Sequence, residues 1–405
     1  MLDNGKAEGA RKIKQIEKYC LRDIAIVSQG FTFSRSYQGK KNLKWNYFKV
    51  ADIGINPNSK YLTNAINTIS DITMEEIGAL PFSKGSIVFP RVGAALFNNN
   101  KKILAQDGVV DDNVLVLTVT DTSKCWYEFL YYYLQGIPLA KWCNSGLVPV
   151  INTKTVLSQI VFLPPLPEQQ KIAAILSTQD KVIELKEKLL AQKQQQKKYL
   201  MQQLLTGKKR LPGFCEKWTR KQLGELFENR VEINRSDLGL LAITSTRGIL
   251  PRDCLDLKDN SSEDKSKYLR ICPGDIGYNT MRMWQGVSAY SEYEGIVSPA
   301  YTILAPMEGV YSRYFAYLFK TQSVIFSFYR FSQGLVDDTR NLKYENFKKI
   351  SVSIPSKVAE QRAIVQTLST ADHEIDLLQK SIEAEKQKKK ALMQLLLTGK
   401  VSVRI

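Results

Sequence analysis

The sequence predicts an α+β protein in which two mixed α/β domains are joined by two long helices that form an antiparallel coiled coil with pseudo-twofold symmetry. A polar, helix-like stretch occurs twice, at 168–208 and 360–400, and about half of its positions are identical. The segments that precede the two copies also share shorter matches, and proline and glycine bound each copy. Duplicated units in one chain favour a twofold arrangement.

Length and composition fit a globular protein with a basic surface. A chain of 405 residues favours two or three domains, and 44% hydrophobic residues suffice for their cores. The net charge of +17 favours an anionic partner, nucleic acid first and a membrane surface second. The alternative is a basic protein whose charge serves only solubility.

Targeting signals and disulfides are not indicated. The sequence has no apolar run of about 18 residues, as a membrane-spanning helix requires, and the first residues lack the apolar core of a signal peptide. The 6 cysteines are scattered without a CxxC pair, which is typical of reduced thiols. A cytoplasmic protein without membrane contact is expected.

The repeated stretch has the periodicity of a coiled coil. Apolar residues step alternately by four and three positions, as a heptad seam requires. The predicted seam residues are Ile172, Leu176, Ile183, Leu190, Leu200, Leu204, Ile364, Leu368, Ile375, Leu378, Ile382, Leu392 and Leu396. The seam is polar at Lys193, Lys197, Glu385 and Lys389. Prolines precede each helix, and Gly207 and Gly399 follow the helix ends.

Each predicted helix needs a partner for its apolar stripe, and the other copy is the obvious one. A domain lies between the copies, so an antiparallel pair with one domain at each end is expected. The alternative is that each helix packs on its own domain or on another protein. The expected regions are a domain at 1–165, a helix at 166–210, a domain at 211–357 and a helix at 358–405.

Within the domains, apolar runs predict the secondary structure. "NVLVLTV" and "AYTILAP" are typical of strands, whereas "YEFLYYYL" and "RYFAYLFKT" predict short core helices rich in aromatic residues. "KGSIVFPRVG" and "PGDIGYNTMRM" both predict a turn followed by a strand. "GLV" at Gly146–Val148 recurs at Gly334–Val336.

The residue types that catalysis requires are scarce. The single histidine, His373, lies on a predicted helix and leaves nucleophilic triads without a base. No cluster has metal-ligand spacing. "LLTGKK" and "LLTGKV" lack the first glycine and the final Ser/Thr of a phosphate-binding loop. The chain is therefore predicted to be non-catalytic, with no cofactor or metal of its own.

Base reading needs Arg, Lys, Asn or Gln side chains presented to a DNA groove. In the first domain the candidates are Arg91, Asn98, Asn99, Asn100, Lys101 and Lys102, in a run that predicts a hairpin tip. In the second domain they are Arg247, Arg252, Asn279, Arg282, Trp284 and Gln285. The alternatives are a solvated turn in the first domain and, for Arg282 and Trp284, a packed strand with an ordinary ion pair.

"FLPPLPEQQKIAAILSTQD…LMQQLLTGKKRLPGFCEKW" and "SIPSKVAEQRAIVQTLSTAD…LMQLLLTGKV" resemble the two conserved helical regions of type I restriction-modification specificity subunits. "YNTMRMWQGVSAYSEYEGIVSPAY" resembles a recurrent segment of their target recognition domains. The second helical region lacks the proline next to Glu360 but keeps Glu360 and Gln361. The resemblance covers almost the whole chain.

The resemblance implies a DNA-reading adaptor. Each target recognition domain would read one half of a bipartite, asymmetric site in double-stranded DNA. The helices would set the unread spacer and dock two methyltransferase subunits, which methylate adenine with S-adenosylmethionine. Two restriction and translocase subunits would use ATP and magnesium. Docking would also account for apolar residues expected on the outer helix faces, Leu189 and Leu205.

Three other functions remain open at this stage. A free-standing DNA-binding regulator would bind its site without partners. A structural coiled-coil protein would show no sequence preference in DNA. A fused restriction and methylation enzyme is disfavoured because the catalytic motifs are missing.

Overall fold

The computed structural model describes residues 16–55, 59–144, 146, 148–244, 248–254 and 264–403. The chain divides into two compact units. The N-terminal unit comprises Met1–Leu189 and Gln379–Ile405, and the C-terminal unit comprises Leu190–Leu378. The predicted boundaries of the four regions stay a prediction.

The N-terminal unit contains a mixed domain and the beginning of a long helix. Its strands are β1 (Glu17–Cys20), β2 (Ala25–Gln29), β3 (Trp45–Phe48), β4 (Tyr61–Leu62), β5 (Asn67–Ile69), β6 (Ile87–Pro90), β7 (Lys102–Leu104), β8 (Val109–Val110), β9 (Val114–Val119) and β10 (Ile160–Leu163). Its helices are α1 (Val50–Ile55), α2 (Asp71–Glu76), α3 (Tyr127–Gln135), α4 (Thr153–Leu157) and the long α5 (Leu166–Leu204), which continues into the C-terminal unit.

The C-terminal unit repeats this plan. Its strands are β11 (Thr219–Gln222), β12 (Phe227–Asn229), β13 (Leu241–Thr244), β14 (Gly248–Pro251), β15 (Leu269–Ile271), β16 (Ile276–Asn279), β17 (Ser288–Tyr290), β18 (Gly295–Val297), β19 (Tyr301–Pro306) and β20 (Ser351–Ile354). Its helices are α6 (Ser312–Leu318), α7 (Gln322–Phe331), α8 (Tyr344–Phe347) and the long α9 (Val358–Leu396), which continues into the N-terminal unit.

The central sheets of the two domains have four corresponding strands in the same order, and the N-terminal sheet has β4 as a fifth strand. The N-terminal sheet has the order β2-β9-β6-β7-β4, and the C-terminal sheet has the order β12-β19-β16-β17. In both domains the first strand pairs antiparallel with the strand that precedes the long helix, β1 with β10 and β11 with β20. The predictions of strands at β9 and β19, and of aromatic helices at α3 and α6, are confirmed. The duplication therefore covers the domains as well as the helices.

Each domain core takes in the ends of both long helices. In the N-terminal unit, Leu176 from α5 and Leu396 from α9 pack with the buried aromatic residues of α3. In the C-terminal unit, Leu368 from α9 and Leu204 from α5 pack with the core around α6. The first turns of each helix thus pack on the domain that precedes them, and the last turns of the other helix complete the core.

The long helices are antiparallel where they meet in each unit. In the N-terminal unit, the Lys186 Nζ atom lies 2.8 Å from a Glu385 carboxylate oxygen, and Gln179 donates a 2.7 Å hydrogen bond to the other oxygen. In the C-terminal unit, Lys193 pairs with Glu374 at 2.7 Å. In the same units Asp180 pairs with Lys389 and Lys197 pairs with Asp372. Within each unit, contacts that advance along one helix therefore move back along the other, and the predicted antiparallel pairing is confirmed.

The predicted seam residues fall into two groups. Ile172, Leu176, Ile183, Leu204, Ile364, Leu368, Ile382 and Leu396 are buried, while Leu190, Leu200, Ile375, Leu378 and Leu392 are half-buried. Those near the helix ends belong to the domain cores, because the domains cover both helices there. Leu205 was expected on an outer face, and this expectation is wrong, since it is buried in the C-terminal core. Leu189 is exposed as expected.

The repeated Glu-Gln pair at the start of each long helix joins helix to domain. The Gln169 side chain accepts a 2.8 Å hydrogen bond from the Trp126 backbone and donates to the carbonyl oxygens of Lys124 and Pro164 at 2.7 and 2.8 Å. Glu360 receives two hydrogen bonds from the Arg210 guanidinium, at 2.5 and 2.7 Å. Most buried polar groups are hydrogen-bonded, and these bonds give the motif a structural role in this chain.

Candidate nucleic-acid interface

A short 3₁₀ turn follows the same central strand in each domain. We call Ala94–Asn98, after β6, the first turn, and Met283–Gln285, after β16, the second turn. Each turn anchors one aliphatic side chain in its domain core, Leu96 in the first and Met283 in the second. Because these anchors correspond, the residues that follow them can be compared one by one.

The residue after each anchor is aromatic, and the next is an amide. In the first turn these are Phe97, with 68% of its surface exposed, and the exposed Asn98. In the second turn they are the half-buried Trp284 and the exposed Gln285. A residue with left-handed backbone ends each turn, Asn99 at φ 53° and Gly286 at φ 79°. Both domains thus present an aromatic ring beside an amide, which suits apolar contacts and hydrogen bonds to base edges.

In the C-terminal domain an aromatic stack extends the second turn. The rings of Trp284 and Tyr329 lie 6.2 Å apart, edge to face. The Arg340 guanidinium lies over the Tyr329 ring, 4.0 Å from its centroid, and donates a 3.1 Å hydrogen bond to the Tyr329 hydroxyl. The indole nitrogen of Trp284 donates to the Met281 carbonyl at 2.9 Å, so its orientation is fixed.

The predicted DNA contacts Asn279, Arg282, Trp284 and Gln285 lie together around the second turn. The Asn279 side chain accepts a hydrogen bond from the Met281 backbone at 3.0 Å. Arg282 is exposed, and its guanidinium has no bonded partner among the described residues, so the expected alternative of an ordinary ion pair is absent there. Arg252 lies elsewhere, after β14, and Arg247 is outside the described residues.

In the N-terminal domain the antiparallel strands β6 and β7 form the predicted hairpin, but the expectation that the whole 98–102 run is exposed at its tip is wrong. Asn98 is exposed, and Asn99 and Asn100 are half-buried, but Lys101 and Lys102 are buried. The Lys101 ammonium donates hydrogen bonds to the Asn99 side chain at 2.6 Å and the Ile137 carbonyl at 2.9 Å. Lys102 begins β7, and its ammonium donates to the Ser59 carbonyl. Both lysine side chains point into the domain, where backbone carbonyl oxygens accept hydrogen bonds from their ammonium groups.

Burial lowers the pKa of the Lys101 and Lys102 amines. It lowers the pKa of Lys101 to about 7 and that of Lys102 to about 8, because desolvation disfavours the charged form. Arg91, half-buried, donates to the Asp112 carbonyl at 3.2 Å. Of the first-domain candidates, Asn98 therefore has the most accessible side chain.

Sequence reasoning missed three residues near the two turns, one in the first domain and two in the second. Phe97 could have been found by aligning "LFNN" with "MWQG". No sequence pattern indicates Tyr329 or Arg340, because only the folded chain brings Tyr329 next to Trp284 and Arg340 next to Tyr329. Sequence reasoning also missed Lys320, whose ammonium donates to the carbonyl oxygens of Gly286 at 2.7 Å and Ser288 at 2.6 Å and so holds the end of the second turn. Burial lowers the pKa of Lys320 to about 8.

The described residues contain no group of three or more His, Cys, Asp or Glu side chains placed to hold a metal ion. Among the helices described, none combines the length and the apolar character needed to cross a membrane.

Comparisons with known proteins agree with this architecture. The family model described as "Type I restriction modification DNA specificity domain" matches residues 13–195 and 264–386, more than half of the chain. The crystal structure of a type I restriction-modification S subunit from M. genitalium is similar, with a TM-score of 0.58 and 15% identity over 96% of this chain and 97% of that one.

Two further solved structures share the fold. The HsdS subunit from Thermoanaerobacter tengcongensis has a TM-score of 0.50 and 15% identity, over 97% of this chain and 100% of that one. A chain from a structural study of complex assembly and conformational transition in the type I R-M system has a TM-score of 0.57 and 14% identity, over 94% and 97%. The chain belongs to the family of type I restriction-modification specificity subunits.

Proposed function

We propose that the chain is the non-catalytic subunit that gives a type I restriction-modification complex its DNA sequence specificity. Each domain reads one half of a bipartite, asymmetric site in double-stranded DNA. Both adenine methylation and restriction then depend on this subunit. The observation that carries the proposal is the duplicated turn, with Phe97 and Asn98 in one domain and Trp284 and Gln285 in the other.

Different side chains on equivalent turns support an asymmetric site. Asn and Gln can both pair with adenine edges, but their side chains differ in length by one methylene. The second turn is also preceded by the exposed cation Arg282, which has no counterpart before the first turn. A shared scaffold with different side chains would therefore read two different half-sites. The proposed contacts are Arg91, Phe97, Asn98, Arg252, Asn279, Arg282, Trp284 and Gln285; the buried Lys101 and Lys102 are not among them.

The paired helices set the unread spacer in this proposal. Each contains 39 residues and extends about 58 Å at 1.5 Å per residue. Ion pairs and hydrogen bonds such as that between Lys186 and Glu385 link the helices and resist sliding. A rigid element of fixed length suits a constant separation between two reading surfaces.

The helices also dock the methyltransferase subunits in this proposal. Leu185 on α5 is 53% exposed, and its repeat counterpart on α9, Leu377, is 51% exposed. An aliphatic residue left exposed at the same position of both copies supports two equivalent docking sites, one for each methyltransferase copy. Restriction and translocase subunits would join that assembly.

The test is co-expression with the methyltransferase subunit of the same system in a host without DNA methylation, followed by mapping of methyladenine across the genome. The expected result is one split motif with a fixed spacer and two different halves. The control is the methyltransferase subunit alone, which should leave the DNA unmethylated. No methylation from an assembled and folded complex would overturn the proposal, and specific DNA binding by the isolated chain alone would favour a free-standing regulator.

A further inference from the structure

A closed loop in the C-terminal domain projects beside the second turn. Residues 334–340 form it, and Gln333 and Asn341 close its base with two backbone hydrogen bonds of 2.8 and 2.7 Å. Gly334 has a φ of +131°, and a Cβ atom there would lie 2.7 Å from the Thr339 carbonyl oxygen. The loop closes in this form only around glycine, so it is a folded element with a defined tip.

The 334–340 loop exposes two adjacent apolar side chains. Leu335 is 100% exposed, and Val336 beside it is 58% exposed. A single exposed aliphatic residue is ordinary, but here a folded loop presents two of them. Since the loop is already closed in the free chain, little conformational entropy is lost when the tip binds.

The loop is joined to the aromatic stack. Arg340, within the loop, lies over the ring of Tyr329, which in turn contacts Trp284. Just after the loop, the Leu342 backbone donates a 2.9 Å hydrogen bond to the Thr280 carbonyl at the start of the second-turn segment. The apolar tip and the proposed base-reading turn therefore belong to one surface of the domain.

Free cations flank that surface. Arg282, Arg330 and Lys343 are exposed, and their side chains have no ion-pair partner in the part of the chain that the structure describes. Asp337 is engaged with Arg340 at 3.2 Å. Cations without counter-charges favour a polyanion over a protein partner. Two aliphatic side chains are also far short of the roughly 800 Å² that a protein partner would need to cover.

We infer that Leu335, supported by Val336, contacts base edges in the major groove of the half-site that the C-terminal domain reads. The recognised feature is the C5 edge of a pyrimidine, where thymine carries its methyl group. Arg330 and Lys343 would hold adjacent phosphates and so bring the tip to the groove. The inference rests on the proposed DNA-reading function.

The test uses the purified complex of the full chain with its methyltransferase subunits and a duplex carrying the mapped motif. Dissociation constants are measured by fluorescence anisotropy at one salt concentration. Every base pair has one pyrimidine, so the C5 group can be changed at each position, thymine to uracil or cytosine to 5-methylcytosine. Leu335→Ala is compared with Leu335→Met, which keeps an apolar side chain, and with Met307→Ala, which changes an exposed apolar residue just beyond the far end of β19.

Leu335→Ala is expected to weaken binding about tenfold, while the other two variants stay close to wild type. With wild type, changing one C5 group in one half-site should alter affinity about fourfold, the effect of one buried methyl group. With Leu335→Ala that sensitivity should vanish, and the other half-site should be unaffected.

Three results would overturn the inference. Leu335→Ala could bind with wild-type affinity, or it could keep the same C5 sensitivity. It could also lose methyltransferase from the complex, which would identify the tip as a protein contact. A wild-type complex that does not prefer the motif duplex over a scrambled one would instead refute the proposed function itself.

Discussion

Two tyrosines on helix α6 should differ in what their hydroxyl groups contribute to stability. Tyr317 donates a 2.6 Å hydrogen bond to the Asp372 carboxylate, which also pairs with Lys197. The hydroxyl of Tyr314, one turn earlier, is buried without a hydrogen-bond partner among the described residues. Tyr317→Phe and Tyr314→Phe remove the same atom from the same helix, and each serves as a control for the other.

The expected magnitudes follow from these environments. A hydrogen bond to a charged group contributes about 1.5–3 kcal/mol, but 40% exposure of the Asp372 side chain lets water compensate, so Tyr317→Phe should cost about 1 kcal/mol. Tyr314→Phe should be neutral or slightly stabilising, because it removes a desolvated and unbonded group. Burial raises the pKa of both hydroxyl groups, so both are protonated donors at neutral pH.

The N-terminal unit provides an independent third measurement. There Tyr132 donates a 2.6 Å hydrogen bond to Asp180, which pairs with Lys389 at 2.5 Å. Tyr132 is fully buried and the Asp180 side chain is only 17% exposed, so Tyr132→Phe should cost about 2 kcal/mol.

Hydrogen exchange of the α3 and α6 amides in the full chain is the appropriate assay, because it reports local opening free energies in each unit separately. The expected order of destabilisation is Tyr132→Phe, then Tyr317→Phe, then Tyr314→Phe. If Tyr314→Phe proved as costly as Tyr317→Phe, the reasoning that assigns these energies to hydrogen bonds with aspartate would be refuted.

Three further predictions concern the amine, the helices and the arginine described above. Burial lowers the pKa of Lys101 in the folded chain to about 7, from an ordinary value of 10.5. Between these pH values the unfolded chain binds more protons, so the free energy of unfolding should rise with pH. Lys101→Met should remove the contribution of Lys101 to that rise, measured by urea titrations at about pH 7–10. Insertion of four residues, about 6 Å of helix, into both α5 and α9 should lengthen the mapped spacer without altering either half-site, and a changed half-site would contradict the proposed division of roles. Arg282→Ala should relax one base position at about 1–3 kcal/mol in binding assays on single-base variants of the motif, whereas a uniform loss would indicate a phosphate contact.

The helices were predictable because their signals are local and occur twice. Proline before each start, glycine after each end and a heptad stripe between them lie within one stretch of sequence. Gly207 and Gly399 adopt φ values of 70° and 71°, as their positions predict. The domain cores were less predictable, since Leu396 completes a core built mainly by residues more than 200 positions earlier.

The candidate interface was predicted in part. Around the second turn, Arg282, Trp284 and Gln285 were identified from residue type, and the structure places them together. At Lys101 the same reasoning was wrong about exposure, because asparagine and lysine are typical of turns and nothing local shows that carbonyl acceptors lie beneath. Leu335 was visible only as part of a repeated "GLV", since exposure is a property of the folded loop.

The sharing of helix ends between domains also determines the order in which the nascent chain can fold. Leu190–Leu378 is continuous, so the C-terminal unit can close as soon as those residues leave the ribosome. The core of the N-terminal unit is complete only after Leu396 and its neighbours on α9 have been synthesised, although most of that unit is synthesised first. Until α9 is synthesised, the apolar core residues that it would cover are accessible to chaperones. Stalling of the ribosome late in translation would therefore expose the core of the N-terminal domain rather than that of the C-terminal domain.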